Sequence, residues 1–148
     1  MSDSVSHATL IAAPPATVWS ALTDARAFGT WFRVALDGPF RVGERTAGRI
    51  TWPGYEGAPF LARVEVMEPP SRFVFLWPHG QADQPGVPWT KVAFTLTPEG
   101  HGTRLSVTES GFDALPEDRR DAARSGNDEG WRLQMENIRD FVESGEGR

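Results

Sequence analysis

Trp131-Arg132-Leu133-Gln134-Met135-Glu136-Asn137-Ile138-Arg139-Asp140-Phe141-Val142 decides the fold, because it carries a helical period at the end of a chain otherwise written with period two. With Trp131 set at zero and 100° added per residue, Met135, Ile138 and Val142 lie within about 40° of it, on one apolar stripe. Leu133 falls about 200° away, so it either packs on other helices or marks a self-association surface. Upstream, helix formers run from Pro116 to about Ser144, with Gly126 and Gly130 as weak points. If the helix passes through Gly126, Arg124 lies about 20° and Asn127 about 40° from the direction of Trp131. Two outcomes are open there. Either the helix bends at Gly126 and turns both side chains to solvent, or they stand at the mouth of a cavity, with Arg124 neutralising an acid or an anionic ligand group.

Before that helix the apolar residues alternate. Phe60, Ala62, Val64 and Val66 share one face while Arg63 and Glu65 share the other, which is a strand with one wet side. Thr90 to Thr97 and Thr103 to Glu109 repeat the pattern, Arg72 to Trp77 has apolar residues on both faces, and Glu68-Pro69-Pro70-Ser71 and Glu99-Gly100-His101-Gly102 separate the strands as turns. Gly48 to Trp52 forms a further strand ending at Pro53-Gly54. The proline-rich segment 78–88 reads as a long hairpin loop able to move over an opening. At the start, Val5 to Ile11 reads as a strand, Pro15 opens a helix carrying Val18, Trp19 and Leu22, and Asp24 caps a second helix carrying Phe28, Trp31 and Phe32. Strand, two short helices, a run of antiparallel strands and a long final helix make an α+β chain whose curved sheet wraps that helix.

The 148 residues suit one domain, 1–148. No apolar run approaches the ~20 residues needed to cross a bilayer, and the N-terminus lacks the charge of a signal peptide, so a cytoplasmic location is expected. There is no cysteine, which removes disulfides, thiolate nucleophiles and cysteine-held metals. A net charge of −5 with no basic cluster disfavours nucleic acid as a partner. Six Trp and nine Phe against one Tyr leave a surplus of large rings, for a core or around a ligand.

Motifs for catalysis are mostly missing. No G-x-S-x-G, H-E-x-x-H or phosphate-binding loop occurs, and His7, His79 and His101 lie far apart in sequence, so no metal or cofactor is expected. The acidic pairs of the final helix sit among arginines and read as a solvated face. Glu109 differs: it shares parity with Leu105 and Val107 and therefore points where the apolar residues point. It either ends its strand by capping an amide or pairing with arginine, or it is a polar group inside a cavity. Trp52, Trp77, Phe94 and Trp131 likewise fill a core or line a pocket for an apolar molecule, and the two readings are compatible.

Ile11-Ala12-Ala13-Pro14, Val18-Trp19, Ala21-Leu22-Thr23-Asp24, Glu68-Pro69-Pro70-Ser71-Arg72, Gly102-Thr103-Arg104-Leu105, Glu109-Ser110-Gly111-Phe112 and Gly130-Trp131 follow one another along the chain. In that order they resemble the START-like, helix-grip (SRPBCC) superfamily, within it the branch named for the activator of the heat-shock-protein-90 ATPase. The resemblance implies a seven-stranded antiparallel sheet around a C-terminal helix, with a cavity between them. Relatives include lipid carriers, receptors, cyclases and co-chaperones, so it implies function only loosely. The eponymous co-chaperone has an additional N-terminal domain, and this sequence opens directly on the helix-grip unit, which weighs against a co-chaperone. The first expectation is a binding protein for a small apolar or aromatic molecule, with Trp52, Trp77, Phe94, Glu109, Arg124, Asn127, Trp131 and Met135 around the cavity. The alternatives are a module that binds a chaperone or another protein, and a cyclase- or hydrolase-type enzyme using the Glu109 carboxylate.

Overall fold

The computed structural model describes residues 3–145. Its strands are β1 Ser4–Ile11, β2 Val34–Leu36, β3 Arg45–Ile50, β4 Pro59–Glu68, β5 Arg72–Pro78, β6 Trp89–Glu99 and β7 Gly102–Ser110. They form one antiparallel sheet in the order β1-β7-β6-β5-β4-β3-β2. The helices are α1 Pro15–Thr23 and α2 Ala25–Phe32, between β1 and β2, and α3 Glu117–Glu143, after β7. This is the α+β helix-grip architecture, with the sheet curved around α3.

Local chemistry explains the small helices. Pro15 occupies the first turn of α1, where its missing N–H costs nothing. Asp24 caps α2 by accepting from the Ala27 N–H at 2.9 Å, and the Trp31 indole donates to the Ala21 carbonyl at 2.8 Å, tying α2 to α1. Arg33 then takes a left-handed conformation, φ 72°, and turns the chain into β2. That three-residue edge strand has too little sequence to show a period of two. Trp52 is also displaced from its expected place: β3 ends at Ile50, because Thr51 N bonds the Arg33 carbonyl and Gly57 N bonds the Ile50 carbonyl, closing 51–58 as a loop.

Register places the core. Val5, Glu109, Val92, Phe75 and Val64 are cross-strand partners in one row over β1, β7, β6, β5 and β4. Four of these side chains are apolar, and all five are buried. Against this face α3 buries Trp131, Met135, Ile138, Phe141 and Val142. Each such side chain contributes about 1.5–3 kcal/mol by leaving water, so the stripe outweighs the poor propensity of the two helix glycines. The helix runs without interruption through Gly126.

Candidate functional site

Glu109 is fully buried in that apolar row, and its location follows from strand parity alone. Five side chains donate to it. Trp131 Nε1 reaches Oε1 at 2.9 Å, Trp77 Nε1 reaches Oε2 at 2.9 Å, and Thr90 Oγ1 donates to Oε2 at 2.5 Å. Asn127 Nδ2 lies 2.9 and 3.1 Å from the two oxygens, and His79 Nε2 lies 3.3 Å from Oε2. Burial would raise the pKa of this carboxyl, but the hydrogen bonds from His79, Thr90, Trp77 and Trp131 outweigh it and hold the group below the ordinary carboxylate range. Glu109 is a buried anion held by a shell of donors.

Each donor is aimed by its own element. Trp77 ends the inward-facing series Phe73, Phe75 and Trp77 on β5, and Thr90 begins the inward series Thr90, Val92 and Phe94 on β6. Asn127 and Trp131 stand one helical turn apart on α3, so one face of the helix meets the carboxylate twice. The two indoles stack, with ring centroids 5.5 Å apart and planes 19° from parallel.

Above the carboxylate lie two openings that share Phe32, Ile50, Trp77 and Asn127. The first is an apolar groove of about 420 Å³ between α3 and the 51–58 loop, walled by Trp52, Tyr55, Trp77, Trp131 and Leu133 and floored by Gly126 and Gly130. The second, of about 1080 Å³, runs from β3 and the start of β4 to the 78–83 segment and is more polar, with Asp37, Arg49, His79 and Asp83 among its walls. Apolar walls with a few fixed polar groups are the usual makings of a small-molecule site.

Several sequence-based placements need correction or addition. Trp52, Trp77, Asn127 and Trp131 line the groove, and Glu109 lies behind them. Phe94 and Met135 line neither opening. Phe94 is fully buried among Phe73, Phe75 and Trp131, and Met135 lies a turn deeper along α3, so both are core. Arg124 is half-buried but is not a partner of Glu109, whose oxygens are occupied by the five donors. Leu133, assigned to neighbouring helices or self-association, is half-buried in the groove wall.

His79 and Thr90 were not among the expected site residues, although their parity was readable. His79 continues the series 73, 75, 77, and Thr90 precedes Val92 and Phe94. The proline at 78 and the reading of 78–88 as a loop concealed the first. Among the described residues no three His, Asp or Glu side chains converge as a metal site. No helix there is long and apolar enough to cross a membrane.

Comparison with known proteins fits this architecture. The family model described as "Activator of Hsp90 ATPase homolog 1-like protein" matches residues 12–143. Comparison with curated proteins gives no significant match. Among solved structures, protein MLL2253 from Mesorhizobium loti is 27% identical, with 95% of this chain and 97% of that one aligned at a TM-score of 0.78. DynU16, from the dynemicin biosynthetic locus, is also 27% identical at a TM-score of 0.78, and the alignment takes in 98% of this chain but 49% of that protein. The Aha1 dimer from Colwellia psychrerythraea shares the fold at 19% identity, a TM-score of 0.71, and 94% and 95% coverage.

Proposed function

Because the chain belongs to the Activator of Hsp90 ATPase homolog 1-like family, whose fold holds a helix against a curved sheet, we propose that it binds a small apolar or aromatic molecule between α3 and the sheet. One observation carries this reading: the groove is walled by Trp52, Trp77 and Trp131 and ends on Asn127, a polar group fixed by a buried carboxylate. Trp52 and Trp77 are half-buried in this wall, and a bound apolar molecule would complete their burial. The reading goes with a cytosolic location.

Acid–base catalysis by Glu109 is the weaker reading. A general acid needs a proton near neutral pH, and the donors that surround this carboxyl keep it ionised. A protein-interaction role draws on the convex face of the sheet. There Arg45 and Arg63 flank Trp89, with guanidinium carbons 5.2 and 5.7 Å from its ring.

The test uses N-phenyl-1-naphthylamine, a neutral fluorescent probe. The protein should bind it saturably, and Gly130→Leu should abolish binding while leaving the fold intact, because a Cβ at position 130 meets no atom within 4 Å and the larger side chain enters the groove. Unchanged binding by a folded Gly130→Leu variant would remove the groove as the site.

A further inference from the structure

Resting on the groove reading above, we propose that this site selects a neutral hydrogen-bond donor, a phenolic or alcoholic hydroxyl or an amide N–H carried on an aromatic body, and rejects carboxylates. The selection follows from how Glu109 uses its neighbours. A carboxylate accepts and cannot donate, so each polar side chain around it must turn its N–H or O–H inward. Trp77 and Trp131 then show only ring carbon outward, but Asn127 and His79 carry a second polar atom, and that one is left as an acceptor.

Asn127 shows this directly. With Nδ2 at 2.9 and 3.1 Å from the two Glu109 oxygens, the amide is fixed, since the reversed amide would set Oδ1 against an anion. Oδ1 has no partner among the described residues, and it is not a sealed atom, so it faces the openings that Asn127 lines. His79 behaves the same way. The Thr90 hydroxyl has one proton and gives it to Glu109 at 2.5 Å, so Thr90 Oγ1 must accept from His79 Nε2–H at 2.8 Å. In the neutral imidazole that leaves Nδ1 as an acceptor, again without a partner among the described residues, beside the larger opening.

The charges nearby agree. Glu129 lines the apolar groove, and Asp37 and Asp83 line the second opening against one arginine, Arg49. Arg124, which would have matched an anionic ligand, lines neither. At Asn127 a ligand carboxylate would meet an acceptor, whereas a hydroxyl would find Oδ1 already oriented, with no side-chain entropy left to lose.

The experiment compares naphthalene, 2-naphthol and 2-naphthoate at about pH 8. Binding is followed by NMR of the indole Nε1–H signals of Trp77 and Trp131. 2-Naphthol should bind about fivefold or more tighter than naphthalene, the advantage of one well-placed hydrogen bond, and 2-naphthoate should bind about tenfold or more weaker than 2-naphthol. Asn127→Leu should erase the preference for 2-naphthol over naphthalene while naphthalene still binds. Glu109→Gln frees Asn127 to turn round and should narrow the gap between 2-naphthoate and 2-naphthol. If that variant does not fold, Asn127→Leu decides. Equal binding of naphthalene and 2-naphthol, 2-naphthoate as tight as 2-naphthol, or a preference that survives in Asn127→Leu would each overturn donor selection while leaving the groove as a site. Indole signals that move with none of the three compounds would overturn both.

Discussion

Trp77 and Trp131 stack face to face with centroids 5.5 Å apart, and their indole N–H groups donate to opposite oxygens of the Glu109 carboxylate. One side chain comes from the sheet and the other from α3, so the carboxylate joins the two layers of the fold at their ring contact. The rings exclude water from the anion, and the anion satisfies the N–H groups that the rings would otherwise bury.

The first prediction separates ring from donor. Trp131→Ala should cost about 3–5 kcal/mol, as for other buried large-to-small changes. Trp131→Phe keeps much of the packing and loses the hydrogen bond to a charged acceptor, at a cost of about 1.5–3 kcal/mol. Urea unfolding measures both. Equal losses would mean that the N–H supplies nearly all of the stabilisation, and no loss from either would remove Trp131 from the core.

Replacing the acid tests the shell from the other side. Glu109→Leu fits the apolar row in size but takes the acceptor away from the Trp77, Asn127 and Trp131 N–H groups, and each donor left unsatisfied costs about 1–3 kcal/mol. A loss of about 3 kcal/mol or more is expected. Glu109→Gln keeps one acceptor and should be milder. A Leu variant as stable as the parent would show that the hydrogen bonds merely offset the desolvation of the charge.

Acid should act on the same group. Its folded pKa is depressed, so its contribution is fully present above the unfolded value of about 4.5 and is lost as pH falls from there through the folded value. Stability measured by denaturant titration should therefore decline below about pH 4.5 in the parent and decline less steeply in Glu109→Gln. Identical slopes in that window would show that other carboxylates carry the acid sensitivity.

Much of this arrangement was legible residue by residue, and the remainder depended on long-range geometry. Parity marked Glu109 as an acid on the apolar side, and the 3.6 period marked Trp131 and Met135 as buried, because both signals depend on local backbone alone. Which donors meet the carboxylate depends on the registers of β5, β6 and β7 and on the depth at which α3 docks, and neither is written in any short stretch. Charge complementarity pointed to Arg124, yet the shell is built from neutral indole, amide and hydroxyl groups and an imidazole, whose burial costs less than that of a guanidinium. Phe94 and Met135 share faces with true groove residues but lie deeper, and periodicity gives direction without depth.

Gly126 and Gly130 supply the last prediction. They stand one helical turn apart on α3 and floor the groove, and a Cβ at either position would meet no atom within 4 Å. Packing therefore gives no reason for glycine, which weakens a helix interior by roughly 0.5–1 kcal/mol relative to alanine. Gly126→Ala and Gly130→Ala should each stabilise the protein by about that amount, and the double variant by nearly the sum, since no shared contact couples them. The added methyl groups project into the groove, so affinity for N-phenyl-1-naphthylamine should fall as the melting temperature rises, most in the double variant. Stability gained with affinity unchanged would show that the ligand lies off the helix glycines, against the wall formed by Trp52 and Tyr55.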